Sequence, residues 1–124
     1  MPKASKETAS ESVKVEGYEG HMEKLEGGYT VAFETYTEDT DLSPFFKGLP
    51  DEQCQAAHWG YVITGKVSFK YGDCEETFET GDGYYSPPGH TPVLYAGTEI
   101  VEFSPTDELQ RTIDVVTKNM EAAG

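Results

Sequence analysis

The fold of this chain is decided by two stretches, HWGYVITGKVSF (residues 58–69) and GDGYYSPPGH (residues 81–90). In the first, apolar and polar residues alternate after the glycine, which predicts a half-buried β-strand. In the second, a short aromatic run lies between a Gly-Asp turn and a Pro-Pro-Gly corner. The chain has three histidines, and these two stretches hold two of them, His58 and His90.

Further strand-like runs surround these two stretches. YTVAFETY (residues 29–36) alternates with a period of two, whereas residues 37–53 contain two prolines and a glycine and are predicted to form a surface loop. Five or six short strands separated by turn residues every 8 to 12 positions or so predict an all-β fold, an antiparallel sandwich or small barrel.

The C-terminal segment has a helical pattern. Ser104 is the predicted N-cap and Pro105 the first helical residue of a helix over about 105–121. We expect this helix to pack against the barrel, with a helix held out for a partner protein as the alternative. Its apolar stripe contains Leu109, Ile113, Val116 and Met120.

Composition and charge narrow the class of protein. A chain of 124 residues with 36% apolar residues builds one modest core, so we predict a single domain over residues 14–124. Residues 1–13 are polar and aperiodic, and they are predicted to be a flexible tail. A net charge of -14 repels phosphate backbones and anionic lipids, which argues against nucleic-acid and membrane partners.

The location of the protein is predicted from two absences in the sequence. No stretch has the apolar core of a signal peptide or the length of a membrane span, which favours a cytoplasmic protein. In such a reducing compartment Cys54 and Cys74 are expected to be free thiols.

The order of these motifs resembles the cupin superfamily of small β-barrels. Its first motif reads H-x-H-x3-E-x6-G and its second G-x5-P-x-G-x2-H-x3-N. Gly65 fits the first motif, and Gly81, Pro87 and Gly89 fit the second with the correct spacing. The chain is most similar to small single-domain cupins of unassigned activity that carry an HWGYV stretch. The resemblance implies a jelly-roll-like antiparallel barrel with the C-terminal helix added, and a homodimer.

The metal-ligand positions of the cupin motifs are altered in this chain. His58 stands at the glutamate position, and Glu52 and Cys54 stand at the two histidine positions. In the second motif the histidine position falls at Pro92, and His90 lies two residues earlier. On a regular strand Glu52, Cys54 and His58 share one face. The candidate metal ligands are therefore His58, His90, Cys54 and Glu52. They would hold one divalent transition metal, either zinc, iron, nickel or manganese. The alternative is a pocket without a metal.

The resemblance leaves three functions open. The first is a barrel that binds a small molecule, with or without a metal, through His58, His90, Tyr84, Tyr85 and Glu102. The second is a metal-dependent cupin enzyme of the oxygenase, isomerase or hydrolase type. The third is a regulatory module that acts through its helix. Trp59 and Tyr61 have the parity opposite to His58, so we expect them to pack against a partner chain or under the loop of residues 37–50. The resemblance makes that surface a candidate dimer face.

Overall fold

The computed structural model describes residues 3–123, which form ten β-strands and a C-terminal α-helix. Two short 3-10 helices lie in the loop before the fifth strand, at Ser43–Phe45 and Pro50–Glu52. The main elements are β1 (Glu11–Val15), β2 (Tyr18–Leu25), β3 (Tyr29–Tyr36), β4 (Thr40–Asp41), β5 (His58–Thr64), β6 (Lys66–Tyr71), β7 (Cys74–Glu79), β8 (Gly83–Ser86), β9 (Thr91–Leu94), β10 (Thr98–Pro105) and α1 (Thr106–Ala123).

The strands form two antiparallel sheets. One has six strands in the order β1-β2-β3-β10-β5-β8, and the other has four in the order β4-β9-β6-β7. The predicted all-β, jelly-roll-like barrel with a C-terminal helix is confirmed. Side chains from both sheets meet in one apolar core, formed by Tyr36, Val62, Val67, Phe69, Tyr84, Leu94 and Ile100.

The hairpin of β1 and β2 was not predicted from the sequence. The sequence of β2, YEGHMEKL, shows no clear alternation, and pairing with β3 along eight residues defines its structure. Three residues of β1 lie in the segment predicted to be a tail, and Lys6 Nζ lies 2.7 Å from a Glu99 carboxylate oxygen on β10. The tail boundary at residue 13 is therefore corrected to residue 10, and its flexibility stays a prediction. Residues 1 and 2 lie outside the described range.

Helix α1 packs against the loop that precedes β5. It begins at Thr106, and Ser104 belongs to β10, so the predicted N-cap is wrong. Leu109 and Val116 of the predicted stripe, together with Val115, pack on a cluster of Phe46, Leu49, Cys54 and Ala56. Met120 at the end of the stripe is 41% exposed. This packing favours a structural helix over one held out for a partner.

The far end of α1 is fixed to the same loop by hydrogen bonds. The Asn119 amide donates to the carbonyl oxygens of Phe45 and Lys47, at 2.6 and 2.8 Å. Within residues 3–123, no helix combines the length and the apolar character needed to cross a bilayer.

Two glycines make room for tyrosine side chains on the inner face of the six-stranded sheet. A Cβ at Gly60 would overlap the ring and hydroxyl of Tyr84, its neighbour across the β5–β8 pair. A Cβ at Gly20 would overlap the Tyr18 hydroxyl in the same way. Both phenols use this space to reach buried carboxylates.

We predict that Gly60→Ala destabilises the protein by about 1–3 kcal/mol, because an added methyl group forces the packed Tyr84 ring to move. Urea unfolding at pH 7 measures the change. Gly83→Ala on β8 is the control, since the nearest atom to its added Cβ would be a carbonyl oxygen at 3.8 Å. Equal stability of the two variants would contradict this account of Gly60.

Candidate functional site

A backbone bridge brings Cys54 and His90 together, although they are far apart in sequence. The Cys54 amide donates to the His90 carbonyl at 2.7 Å, and the amides of Gly89 and His90 donate to the Cys54 carbonyl at 2.8 and 3.2 Å. Cys54 precedes β5, which belongs to the six-stranded sheet. His90 immediately precedes β9, which belongs to the four-stranded sheet. The bridge therefore joins the two sheets at one end of the barrel.

His58, the first residue of β5, completes a buried cluster with these two residues. Its ring lies edge-on to that of His90, with centroids 4.9 Å apart, and its Nε2 is 3.7 Å from Cys54 Sγ. One ligand atom from each residue lies within 4.8 Å of the others. Two ligand atoms on one tetrahedral zinc ion are about 3.4–3.8 Å apart, given bonds of about 2.0–2.3 Å. Small side-chain shifts therefore bring the three atoms to a shared ion.

The hydrogen bonds of His90 fix which ring nitrogen is free. Its Nδ1 lies 2.7 Å from the Pro87 carbonyl oxygen, which only accepts, so Nδ1 carries the proton. Nε2 then presents a lone pair. Among the described residues, it is one of two buried side-chain polar atoms without a hydrogen-bond partner, the other being Thr35 Oγ1. A metal ion satisfies such a lone pair, and holding the other nitrogen on a carbonyl is the usual arrangement of a histidine ligand.

Neighbouring hydroxyl groups orient the other two members of the cluster. Ser104 Oγ on β10 lies 2.6 Å from His58 Nδ1, which leaves Nε2 directed at Cys54. Thr112 Oγ1 on α1 lies 3.4 Å from Cys54 Sγ. Both hydroxyl-bearing residues are missing from the sequence-based site, because no motif spacing points to them.

Burial determines the charge state of the cluster. Loss of water lowers the pKa of His58 to about 4 and, with repulsion from His58, lowers the pKa of His90 to about 4. Burial raises the pKa of the Cys54 thiol. At neutral pH both imidazoles are therefore neutral, the form that binds metals, while the thiol must lose its proton to become a ligand.

Two of the predicted site residues lie elsewhere. Glu52 ends a 3-10 helix with its side chain exposed and is not part of the cluster, because residues 53–57 are not regular strand and parity does not extend across them. Tyr85 points out of the barrel and packs at a tilt against Trp59, with ring centroids 5.0 Å apart, because it neighbours the inward Tyr84 on one strand. Contrary to the prediction, neither side chain lines the barrel interior.

Glu102 and Tyr84 do lie inside the barrel, next to the cluster. The Tyr84 hydroxyl donates to Glu102 Oε2 at 2.5 Å, and Glu102 Oε1 lies 3.8 Å from His58 Nδ1. A second inward carboxyl group, Glu34 on β3, accepts from the Tyr18 and Tyr36 hydroxyls at 2.6 and 3.4 Å. Burial and mutual repulsion raise the pKa of Glu34 to about 7, and burial does the same for Glu102. Glu34 was missed because alternating strands seldom bury a charged residue.

A group of aromatic residues lies on the outside of the six-stranded sheet, among them Trp59 and Tyr61, whose parity placed them opposite His58. Tyr29 packs on Trp59 at 6.0 Å, and a shallow groove of about 200 Å³ runs along Trp59, Gly60, Tyr61, Val101 and Phe103. We call this surface the outer aromatic face. Its members are 41–48% exposed: Tyr29, Trp59, Tyr61, Ile63, Tyr85 and Phe103.

Known structures share this fold. An RmlC-like cupin from Shewanella frigidimarina has a TM-score of 0.54 at 15% identity, covering 77% of this chain and 83% of its own. Pac13 of Streptomyces, described as a nucleoside dehydratase, has a TM-score of 0.58 at 16% identity. The match covers 84% of this chain and 81% of Pac13. KdgF from Halomonas has a TM-score of 0.53 at 15% identity, and the match covers 77% of this chain and 86% of KdgF. No protein-family model and no curated protein matches the sequence. At this identity the likeness establishes the fold alone.

The raised pKa of Glu34 predicts how stability depends on pH. Its folded pKa of about 7 exceeds the ordinary value of 4.5, so its contribution to stability is full below pH 4.5 and is lost as the pH rises through 7. We therefore expect Glu34→Gln, relative to the original protein, to gain on the order of 1–3 kcal/mol between pH 4.5 and 8. The buried histidines titrate in both proteins and cancel in the difference.

Urea unfolding at several pH values measures this difference. Glu76→Gln on the exposed face of β7 is the matched control and should show no such trend. A Glu34→Gln difference that stays constant from pH 4.5 to 8 would show that Glu34 has an ordinary pKa in the folded protein.

Proposed function

We propose that this protein, which has the cupin fold, binds one divalent transition metal ion through Cys54, His58 and His90 and holds a small organic ligand beside it. The observation that carries the proposal is the unpartnered Nε2 of His90, buried within reach of a thiol and a second imidazole. An unsatisfied buried polar atom costs about 1–3 kcal/mol, which a bound metal ion relieves. The exposed Glu52 is not proposed as a ligand.

The ligand types narrow the choice of metal. One thiolate and two imidazoles suit zinc, iron or nickel better than manganese or magnesium, which prefer oxygen ligands. Three protein ligands also leave a coordination position open for a small molecule, as in catalytic rather than structural zinc sites. A bound metal at this position supplies Lewis-acid chemistry to an oxygen atom of the ligand.

The second candidate function is a metal-dependent enzyme. It is favoured by Glu102, a buried carboxyl group 3.8 Å from His58, whose pKa of about 7 suits proton transfer near neutral pH. Tyr84 holds this carboxyl group in place through its hydroxyl. Pac13, one of the proteins with this fold, is described as a nucleoside dehydratase, and a variant of it is described with uridine, which supports an enzymatic role for a barrel of this kind.

The charge of the chain bears on its partners. A net charge of -14 supports a protein that avoids nucleic acids and anionic membranes, while the cytoplasmic location stays a prediction. The outer aromatic face supports a homodimer, because a contiguous apolar surface of this kind is typical of an interface.

We predict that cobalt(II), added to the metal-free protein, binds at about one equivalent per chain and gives a thiolate charge-transfer band in the near ultraviolet. Cys54→Ser should abolish this band, and His90→Gln should weaken metal binding at least about tenfold, as expected for loss of one ligand. Cys74→Ser, which removes the exposed thiol on β7, should leave both properties unchanged.

Two results would contradict the metal proposal. One is binding of less than about a tenth of an equivalent of cobalt, zinc, iron and nickel at micromolar concentrations, far weaker than protein sites with thiolate ligands. The other is a charge-transfer band that survives in Cys54→Ser but disappears in Cys74→Ser.

We predict a dimer of the 13.7 kDa chain in sedimentation velocity experiments. Trp59→Glu should shift it to monomer, because it places a charge at the centre of the outer aromatic face. Met120→Glu, an equally exposed position at the end of α1, is the control. Since each chain carries a net charge of -14, added salt should strengthen the dimer. A monomer at all salt concentrations would contradict the assembly.

A further inference from the structure

A second cavity lies beneath helix α1, close to the metal-binding cluster. It has a volume of about 120 Å³ and lies between the first half of α1 and the loop ahead of β5. We call it the α1 cavity. Its walls are Leu49, Pro50, Gln55, Glu108, Arg111 and Thr112.

The α1 cavity is separated from the cluster by a single side chain. Thr112 lines the cavity and is only 7% exposed, and its hydroxyl lies 3.4 Å from Cys54 Sγ. A molecule in the cavity that contacts Thr112 is therefore one residue away from a cluster ligand.

The cavity presents one positive and one negative group that do not pair with each other. Glu108 and Arg111 are three residues apart on α1, a spacing at which opposite charges usually form an ion pair. Among the described residues neither takes part in an ion pair or a side-chain hydrogen bond. Arg111 is also the single arginine of a chain with a net charge of -14. Both charges therefore remain available to a ligand.

The other walls favour a short ligand with a small apolar part. Leu49 and Pro50 supply an apolar surface opposite the two charges. The Gln55 amide nitrogen donates to the carbonyl oxygens of Pro50 and Gln53, at 3.1 and 3.3 Å, which fixes this side chain against the loop. A cavity of this volume accepts only a few heavy atoms beyond the groups that bind the charges.

We propose that the α1 cavity binds a short carboxylate that carries a hydrogen-bond donor on the neighbouring carbon, an α-amino or α-hydroxy acid. The carboxylate pairs with the planar Arg111 guanidinium, which matches its geometry. The amino or hydroxyl group donates to the Glu108 carboxylate. This inference rests on the proposed function, because it names the class of the small organic ligand proposed to lie beside the metal site, with Thr112 between the two.

Calorimetric titrations of the full chain with L-alanine, L-lactate and acetate test the proposal, with and without bound zinc. We expect alanine and lactate to bind at least about tenfold more tightly than acetate, which has no donor for Glu108. Arg111→Met should lower the affinity for both acids at least about tenfold, as expected for loss of a charge-assisted pair. Lys118→Met, which removes an exposed charge from the same helix, should change affinity less than about twofold.

A second pair of variants separates the role of Glu108 from general charge effects. Glu108→Gln should lower the affinity for alanine more than the affinity for lactate, because the ammonium group of alanine pairs with the Glu108 carboxylate. Asp107→Asn, an adjacent acidic residue that does not line the cavity, should leave both affinities unchanged. Equal effects of Arg111→Met and Lys118→Met, or of Glu108→Gln and Asp107→Asn, would overturn the assignment.

The same titrations distinguish failure of the cavity proposal from failure of the metal proposal. If the protein binds zinc but binds neither acid below about 10 mM, the cavity proposal fails and the metal proposal stands. Acid binding that requires zinc but is unaffected by Arg111→Met would also overturn it, since the metal alone would then hold the acid. Acid binding that depends on Arg111 without any zinc binding supports the cavity and contradicts the metal site.

Discussion

The backbone bridge between Cys54 and His90 is the interaction on which the rest of the candidate site depends. Three hydrogen bonds tie the segment before β5 to the corner before β9, and so hold the two sheets together at one end of the barrel. Gly89, with φ of 90°, turns the chain in a conformation that glycine adopts readily, so that its amide reaches the Cys54 carbonyl. The thiol and the His90 ring enter the interior as a consequence of this backbone geometry.

Helix α1 gives the site its chemical environment. By packing on the loop ahead of β5, and by the Asn119 clamp at its far end, it excludes water from the cluster. Exclusion of water keeps both histidines neutral and the thiol protonated. The same helix carries Thr112 against the thiol and the opposite charges of the α1 cavity, so closure of the cluster and the proposed recognition of a ligand belong to one element.

The barrel interior is polar beside the cluster as well as within it. Glu102 is buried and Glu34 is partly buried, and three tyrosine hydroxyls donate to them. Such hydrogen bonds offset part of the free-energy cost of burying carboxyl groups, while burial raises the pKa of both and so favours their protonated forms. Two glycines make room for two of these phenols on the face of the sheet. This arrangement places one carboxyl group, that of Glu102, 3.8 Å from a candidate metal ligand.

The sequence by itself determined the strands of the barrel that alternate cleanly, such as β3 and β6, the turns at glycine, and the helix that follows them. These features depend on interactions between residues close in the chain. It also identified Cys54, His58 and His90 as candidates, but only the tertiary structure decided that they meet. Side-chain parity holds within a regular strand and fails across residues 53–57, which is why Glu52 lies outside. Which face of β8 is buried, and hence the opposite fates of Tyr84 and Tyr85, is a property of the two packed sheets.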